Sequence, residues 1–519
     1  MSDYELSDVQ AISSSTDSSR VVARILSLNC WGLKYVSKFR AQRLAAIAER
    51  IAASGDRYDI VALQEIWVEE DYELLRSVTA PHFRYHKYFY SGILAGPGLL
   101  ILSKWPIESA SLFRYPLNGR PSAFFRGDWY VGKSAASVVI RPIIHHHPTV
   151  SSTTTAAIQE MEARPIEILS THLHAPYGPG DAAYTCHRTA QAWELARLAR
   201  RASQLGHEVI VLGDLNSIPG SLSHRLFQHT AGLRDSWQDL HGEFEGGPEA
   251  MGQLAPEDQI ALAGTTCDSQ LNTWRADRQR HEAKRLDYIF YDPKYASPLD
   301  CRVSFVEPIA GIGSVSDHFA VEATLLISNI INGVATTSPN PFASNMNLRA
   351  AATASSDANA SSQSSMSSLD PPHQIQQLSN RRSGLQHNMS YAPPGNGAPG
   401  SIHKVQTTTS SATRDELRLL YSDILELIEE YKPTSILQAR LRNYHFIASV
   451  IILIGILIAV WWGAAHNRAY VGFIFILVTI AVAITGLLDG LIGFLFGRNE
   501  WRALLEFQSE VELELHFLG

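Results

Sequence analysis

Cysteine is scarce in this chain, and no two cysteines have the spacing of a metal site. The 519 residues include four of them, Cys30, Cys186, Cys267 and Cys301. They are widely separated and form no C-x-x-C motif, so they predict neither a disulfide framework nor a zinc site. A reducing compartment is the simplest inference.

The chain also lacks an excess of positive charge. It carries 43 Lys and Arg residues against 51 Asp and Glu residues, a formal net charge of -8. Proteins whose main partner is a nucleic-acid backbone usually show a basic footprint, so the composition argues against that class without excluding it. The first twenty residues are acidic and Ser-rich with no apolar run, which predicts a disordered N-terminus (1–20) and no secretory signal.

Between residues 21 and 327, short β-branched runs alternate with helical stretches, the pattern of an α/β sheet protein. Strands are predicted at VVARILSLN, DIVALQE, GLLILS, IEILSTHLH, VIVLGDLN, RLDYIFY and HFAVEATLLI, and helices at RAQRLAAIAERIAASG and AYTCHRTAQAWELARLARRASQLG. The stretch HHHPTVSSTTTAA (145–157) is predicted to be a surface insertion between two strands.

The remaining third of the chain has a different character. Residues 336–411 are dominated by Ser, Asn, Ala, Pro and Gln, which predicts a low-complexity linker. Residues 413–431 predict a short amphipathic helix for packing or for a membrane surface. Residues 446–465 and 469–488 are apolar and uncharged over twenty residues each, long enough for two transmembrane helices joined by a short loop.

Charges flanking these two apolar runs predict their orientation. Arg468 between them is outnumbered by the basic residues outside them, Lys432, Arg440, Arg442, Arg498 and Arg502. Both flanks, including the C-terminal tail 498–519, are therefore expected in the cytosol together with the α/β domain. We expect an integral protein of the endoplasmic reticulum or mitochondrial membrane. Three glycines, Gly486, Gly490 and Gly493, offer small surfaces for helix packing.

The stretch GDWYVGKS (127–134) fits the pattern of a phosphate-cradling loop. A nucleotide loop follows a strand and opens a helix, but this one is followed by AASVVIRPII, which favours a strand. The pattern therefore favours another phosphate over ATP, and a role for Lys133 has to come from the rest of the chain.

Polar residues close the predicted strands. Glu65 beside the amide oxygen of Asn29 has the hard oxygen donors of a Mg²⁺ site. Asp214 and Asn216 should lie on one side of an extended segment, since side chains alternate along a strand. The chain also offers the imidazole and carboxylate groups of general acid–base chemistry at further strand ends: His172, Asp287, Asp317 and His318.

The ordered set of these motifs, over about residues 24–326, resembles the endonuclease/exonuclease/phosphatase superfamily. That resemblance implies a four-layer α/β sandwich that cleaves phosphate esters with Mg²⁺. The stretches LSLNCWGL and THLHAPYG, the following HRTAQ, and the terminal pair of apolar runs look like the branch of neutral sphingomyelinases and inositol phosphosphingolipid phospholipases C.

The resemblance also implies residue roles. Glu65 and Asn29 would bind the metal, and Asp214 and Asn216 would support the transition state. His318 and His172 would share general acid–base work, with Asp287 and Asp317 orienting them. Asp128 and Lys133 would serve the phosphosphingolipid and not ATP. The implied substrate is a membrane phosphosphingolipid, cleaved to ceramide and a phosphorylated head group, with anionic phospholipids as activators.

Two alternatives stay open at this point. The first is a membrane-bound nuclease or inositol polyphosphate phosphatase of the same fold, since fold alone does not choose a substrate. The second is a membrane scaffold without enzyme activity. The negative charge weighs against the nuclease, and the complete set of expected catalytic residues weighs against the scaffold.

Overall fold

The computed structural model describes residues 20–92, 96–142, 163–178, 184–328, 414–466 and 469–518. The N-terminal segment up to residue 19, the His-rich insertion 145–157 and the linker 336–411 lie outside the described residues. Within these ranges the strands are β1 (Arg20–Asn29), β2 (Ile60–Gln64), β3 (Tyr85–Tyr88), β4 (Leu100–Ser103), β5 (Ile107–Arg114), β6 (Ser134–Ile140), β7 (Ile166–His172), β8 (Glu208–Asp214), β9 (Arg234–Asp235), β10 (Asp287–Tyr291), β11 (Ala296–Ser304) and β12 (Ala320–Ser328).

The helices of the same ranges are α1 (Arg40–Ala53), α2 (Glu69–Thr79), α3 (Asp128–Val131), α4 (Thr185–Gln204), α5 (Leu222–Arg225), α6 (Ser236–His241), α7 (Gly247–Gln253), α8 (Pro256–Ala263), α9 (Arg414–Ala465), α10 (Ala469–Gly490) and α11 (Gly497–Phe517). Short π-helical turns follow α5 and α10, at Leu226–Thr230 and Leu491–Phe496. Each strand and helix predicted from the sequence has a counterpart among these elements.

The strands form two six-stranded mixed sheets, with orders β11-β12-β1-β2-β4-β3 and β5-β6-β7-β8-β10-β9. Parallel pairs lie at the centre of each sheet, β1 with β2 and β7 with β8, and the other pairs are antiparallel. Strands that run parallel end at the same edge. The residues that follow β1, β2, β7 and β8 therefore meet at one end of the domain.

Three apolar layers hold these sheets and helices together. Ile25 of β1 and Ile210 of β8 belong to the layer between the two sheets. Leu28, on the opposite face of β1, packs with Ile47 of α1. A third layer packs α4, through Trp193, on the outer face of the second sheet. The architecture is the predicted four-layer α/β sandwich.

The C-terminal helices pack directly against this sandwich. The predicted amphipathic segment and the first apolar run form one continuous helix, α9, of 52 residues. Its first half and helix α11 belong to the same buried layer as Trp193, through residues such as Tyr421, Ile428 and Phe507. The segment predicted as a packing or membrane-surface helix therefore covers an apolar face of the α/β domain.

Helices α9 and α10 form a close hairpin. Both contain an apolar stretch long enough to cross a membrane. A Cβ added at Gly486 would lie 2.5 Å from the Ser449 side chain, and one at Gly490 would lie 2.7 Å from the ring of Phe446. These glycines permit close helix packing, as the sequence predicted, and they lie at the contact between α9 and α10.

Candidate active site

Strand register brings the predicted polar residues together at one edge. His172, the last residue of β7, is paired with Asp214, the last residue of β8. Asp214 is also paired with Asp287, the first residue of β10, on its other side. In the first sheet Asn29 and Gln64 are paired at the ends of β1 and β2.

The side-chain amide of Asn29 joins the two sheets. Its Nδ2 donates to Glu65 Oε1 at 3.1 Å and to Asp214 Oδ2 at 2.9 Å. Its Oδ1 accepts a hydrogen bond from the backbone N–H of Trp31 at 3.0 Å. Asn29 therefore separates two carboxylates. Its Oδ1 can keep the bond from Trp31 and still bind a metal, because an amide oxygen has two lone pairs.

The backbone turns sharply after the strands that carry the site. Glu65 and Asn216 have left-handed conformations, with φ of 61° and 47°. Such angles in non-glycine residues are uncommon and concentrate at functional sites. The alternation argument for Asn216 was therefore wrong about the backbone, which is not extended there. Asn216 still stays beside Asp214, because its N–H donates to Asp214 Oδ1 at 2.8 Å.

Two histidines flank the buried carboxylate of Asp214. His318 Nδ1 lies 2.8 Å from Asp287 Oδ2, and its Nε2 lies 3.9 Å from Asp214 Oδ2. His172 Nε2 lies 3.5 Å from Asp214 Oδ2 and 4.0 Å from Glu65 Oε1. The arrangement has two imidazoles within reach of one small volume, and one of them is oriented by a carboxylate.

Burial disfavours the charged form of two carboxylates in this volume. Burial raises the pKa of Glu65 to about 7, and the charge of Asp317 adds to the shift. Burial also raises the pKa of Asp214 to about 6. Donor atoms of Asp214, Asp287 and His318 lie within 4.8 Å of one another, and Asp287 Oδ1 is buried without a hydrogen-bond partner. Buried oxygen donors of this kind fit a divalent cation.

The two histidines are perturbed in opposite directions. Burial lowers the pKa of His172 well below its ordinary value, and the nearby Lys133 lowers it further. Burial also opposes protonation of His318, but Cys267 and the carboxylates of Asp287 and Asp214 outweigh it and raise that pKa well above the ordinary value. The neutral form of His172 and the charged form of His318 are therefore favoured, so the two imidazoles differ in their protonation state.

Within the described residues, the carboxylate of Asp317 forms no hydrogen bond with either of the two histidines that it was expected to orient. Its Oδ2 accepts a hydrogen bond from Arg275 at 2.6 Å. The contact with His318 is made by Asp287, the other carboxylate expected to do so.

The stretch 127–134 forms one helical turn and then a strand. Asp128 begins α3, Gly132 ends it with φ of 76°, and Ser134 begins β6, the strand that the sequence predicted. Lys133 is almost fully buried, with Nζ 3.2 Å from Asp128 Oδ1 and 3.1 Å from the carbonyl oxygen of Leu173. Burial opposes ionisation of Asp128, yet Lys133 and His174 lower its pKa to about 2.

This ion pair lies next to the histidine strand. The backbone N–H of Ala175 donates to Asp128 Oδ2 at 2.9 Å, and His174 Nδ1 lies 3.5 Å from the same oxygen. Asp128 and Lys133 are therefore held against the chain that carries His172.

Sequence reasoning assigned no role to two residues that contact the site. Trp67 donates from Nε1 to Glu65 Oε2 at 3.3 Å. His174 stacks on Tyr184 with ring centroids 4.2 Å apart and contacts Asp128. The sequence placed both His172 and His174 at the end of this strand, in STHLH, but gave no reason to assign His174 to the site.

A family model described as the Endonuclease/Exonuclease/phosphatase family matches residues 26–318. The match covers more than half of the chain and includes every predicted site residue. The chain belongs to this family, as its motifs predicted.

Relatives of known activity align with this chain. Inositol phosphosphingolipids phospholipase C of Saccharomyces cerevisiae is 39% identical over 515 residues, covering 94% of this chain and 89% of that protein. The protein of the same name from Schizosaccharomyces pombe is 33% identical and covers 94% of this chain and 93% of its own length. Human Sphingomyelin phosphodiesterase 2 is 29% identical over 59% of this chain and 64% of that protein.

Proposed function

We propose that this protein is a Mg²⁺-dependent phospholipase C that hydrolyses phosphosphingolipids to ceramide and a phosphorylated head group. The observation that carries the proposal is the cluster at one sheet edge, where both imidazoles lie within 4.0 Å of the Asp214 carboxylate. The fungal relatives, which align with 94% of the chain, support an inositol phosphosphingolipid as substrate. The human relative supports sphingomyelin as the other candidate.

Glu65 and the side-chain oxygen of Asn29 are the ligands that we assign to Mg²⁺, with the buried carboxylates of Asp214 and Asp287 adding negative charge around it. When bound, the metal polarises a phosphoryl oxygen and neutralises charge that develops on it. Burial and the charge of Asp317 raise the pKa of Glu65 to about 7, and a bound cation would favour the charged form of this carboxylate.

The acid–base work falls to the two histidines. His318, held by Asp287, is assigned to take a proton from the attacking water, which requires its neutral form; a cation bound by Glu65 beside Asp214 would offset the carboxylate charge and lower the pKa of His318 towards that form. His172, whose neutral form is favoured, donates a hydrogen bond from its ring N–H to the departing ceramide oxygen, and solvent water supplies the proton. Asn216 holds its place beside Asp214, where both support the charged phosphoryl group. Lys133 and Asp128 act behind this volume. Their buried ion pair positions the strand that carries His172.

Helices α9 and α10 are proposed to cross the bilayer, with the catalytic domain and the C-terminus in the cytosol. The endoplasmic reticulum or mitochondrial membrane is the proposed location. A substrate that stays in the bilayer is met more often by an enzyme fixed to the same surface. Basic residues beside the two helices, such as Arg440 and Arg498, would attract anionic phospholipids, which we propose as activators.

The test is substrate selection by the purified full-length chain. Vesicles of inositol phosphoceramide or sphingomyelin, duplex DNA and a soluble inositol polyphosphate are offered with and without Mg²⁺. We expect Mg²⁺-dependent release of a head group from a sphingolipid. Turnover of DNA or of the inositol polyphosphate alone would support the alternative activities, and no turnover at all would support a scaffold.

Two variants link that turnover to the site. Glu65→Ala should lower it by at least about a hundredfold, because the metal loses a charged ligand. Glu70→Ala is the matched control, since this carboxylate is exposed and lies five residues further along the chain. Equal activity of the two variants would remove Glu65 from the metal site.

A further inference from the structure

Two adjacent phenylalanines form an exposed turn beside the candidate active site. Phe124 and Phe125 follow the helical turn Pro121–Ala123, and 37% and 69% of their surfaces are exposed. Their rings meet edge to face, with centroids 6.0 Å apart. Transfer of a large aromatic side chain out of water is favourable, so an exposed pair of them indicates an apolar partner outside the domain. We call residues 121–126 the phenylalanine turn.

The phenylalanine turn contacts helices α9 and α10 at the level where their charged residues give way to the apolar runs. The Ser122 hydroxyl donates to Gln438 of α9, and Arg442 Nη2 donates to the carbonyl oxygen of Ser122 at 3.0 Å. The same guanidinium pairs through Nη1 with Asp489 of α10 at 2.7 Å. Arg442 therefore ties both helices and the turn together just outside the apolar runs.

Helix geometry sets the height of this attachment. Phe446, the first residue of the apolar run of α9, lies four residues beyond Arg442, which is about 6 Å along a helix. The polar interface on each side of a hydrocarbon core is about 5–8 Å thick. The attached turn therefore lies at the depth of the head groups.

A second contact fixes the same region from the other helix. Trp129, which follows the turn in α3, packs edge to face on Phe496, with ring centroids 4.9 Å apart. Phe496 ends the π-helical turn that leaves α10. Both α9 and the end of α10 therefore contact the segment that carries Phe124 and Phe125. This segment cannot move relative to the two helices without breaking these contacts.

We propose that Phe124 and Phe125 insert into the interfacial layer of the bilayer and hold the active-site edge against the head groups of the substrate. The inference rests on the proposed function, in which α9 and α10 cross that bilayer. The turn also contacts the chain that follows β7, the strand that ends at His172. Arg126 donates to the Tyr184 hydroxyl at 3.0 Å, and its guanidinium lies 5.1 Å from the ring centroid of Tyr177. Asp128 follows two residues later.

A depth measurement tests the insertion on the full-length protein in vesicles. The four native cysteines are buried, so Phe125→Cys gives one accessible thiol for an environment-sensitive dye. Leu205→Cys is the matched control. Leu205 is 76% exposed, and it lies at the other end of β7 and β8, about 20 Å from the site edge by strand length.

We expect nitroxide lipids labelled near the head group to quench the dye at position 125 severalfold, and the dye at position 205 to be unaffected. Equal quenching at the two positions would overturn the proposal. Energy transfer between copies labelled at position 125, without quenching by lipid, would also overturn it, because the turn would then face a second copy of the chain.

Turnover supplies a second, independent readout. The double variant Phe124→Ser/Phe125→Ser should lose about tenfold or more of its rate on vesicles and keep its rate on substrate dispersed in detergent. Phe125→Trp should keep the vesicle rate, since tryptophan favours the membrane interface. Wild-type rates of the double variant on vesicles would contradict the proposal. If the wild type cleaves no lipid, the proposed function fails, while the quenching contrast still decides the insertion.

Discussion

Glu500 is the residue whose loss should most weaken the contact between the catalytic domain and the C-terminal helices. Its carboxylate is 4% exposed and lies between three side chains. It accepts a hydrogen bond from the Tyr431 hydroxyl at 2.6 Å and from the Ser435 hydroxyl at 3.0 Å, both in α9. His187 Nε2 of α4 lies 3.2 Å from it. One carboxylate thus connects α4, α9 and α11.

The magnitude follows from what Glu500→Ala leaves behind. A buried donor without a partner costs about 1–3 kcal/mol, and three donors lose theirs here. Because the structure relaxes in part, we expect Glu500→Ala to destabilise the contact between these helices by about 3–5 kcal/mol in total. Glu500→Gln keeps one acceptor oxygen and should cost less than Glu500→Ala.

Cysteine labelling measures this loss where it occurs. Cys186 precedes His187, is buried, and reacts with a thiol reagent only when the junction opens. Since 1.4 kcal/mol is a factor of ten, Glu500→Ala should speed labelling of Cys186 by at least about a hundredfold. Cys30, in the other half of the sandwich, serves as internal reference. The exposed Glu506 of α11 provides the control Glu506→Ala, and equal labelling of Cys186 in both variants would refute the argument.

Three further outcomes are expected. Asp287→Asn should lower kcat by about a hundredfold or more with little change in KM, because His318 loses its orienting carboxylate, and an unchanged kcat would exclude that role. Lys133→Met should lower the free energy of unfolding in denaturant by about 3–5 kcal/mol, because it leaves the buried Asp128 carboxylate without its partner, and adding Asp128→Asn should restore part of the loss. Equal stability of wild type and Lys133→Met would contradict this account. Calorimetry should show no saturable ATP binding by the wild type. The pKa of Asp235, which burial would raise, is lowered by its ion pair from 3.8 to about 2. This lowered pKa stabilises the fold by about 2 kcal/mol above pH 4, and the effect is lost as pH falls towards 2. The difference in free energy of unfolding between wild type and Asp235→Asn should therefore shrink over that window. A constant difference would exclude the mechanism.

The site was predictable from sequence because of where parallel strands end. Apolar runs such as VIVLGDLN identify a buried strand and its polar end together, so the sequence pattern alone places Asp214 and His172 at one edge. The motif order then identified the family. The left-handed turn at Asn216 could not be predicted, because alternation applies only while the strand continues.

The junction between domain and helices was beyond sequence reasoning. Glu500 and His187 are separated by 313 positions, and each is an ordinary polar residue on a helix. The linker left the distance between the α/β domain and the membrane open, whereas the packing of Tyr421 against Trp193 depends on matching two apolar surfaces that no local pattern reveals. Asp317, adjacent to His318 in sequence, was expected to orient a histidine but pairs with Arg275, a partner 42 positions away that adjacency in sequence does not indicate.

The most direct test of the central claim is to follow oxygen from water during turnover. Wild-type protein in vesicles containing inositol phosphoceramide and Mg²⁺ is incubated in heavy-oxygen water, and both products are weighed by mass spectrometry. Attack of water on phosphorus predicts ceramide without the heavy isotope and a phosphorylated head group that carries one heavy oxygen. Release of ceramide phosphate, heavy oxygen in the ceramide hydroxyl, or no cleavage of this lipid or of sphingomyelin would contradict a phospholipase C reaction at this site.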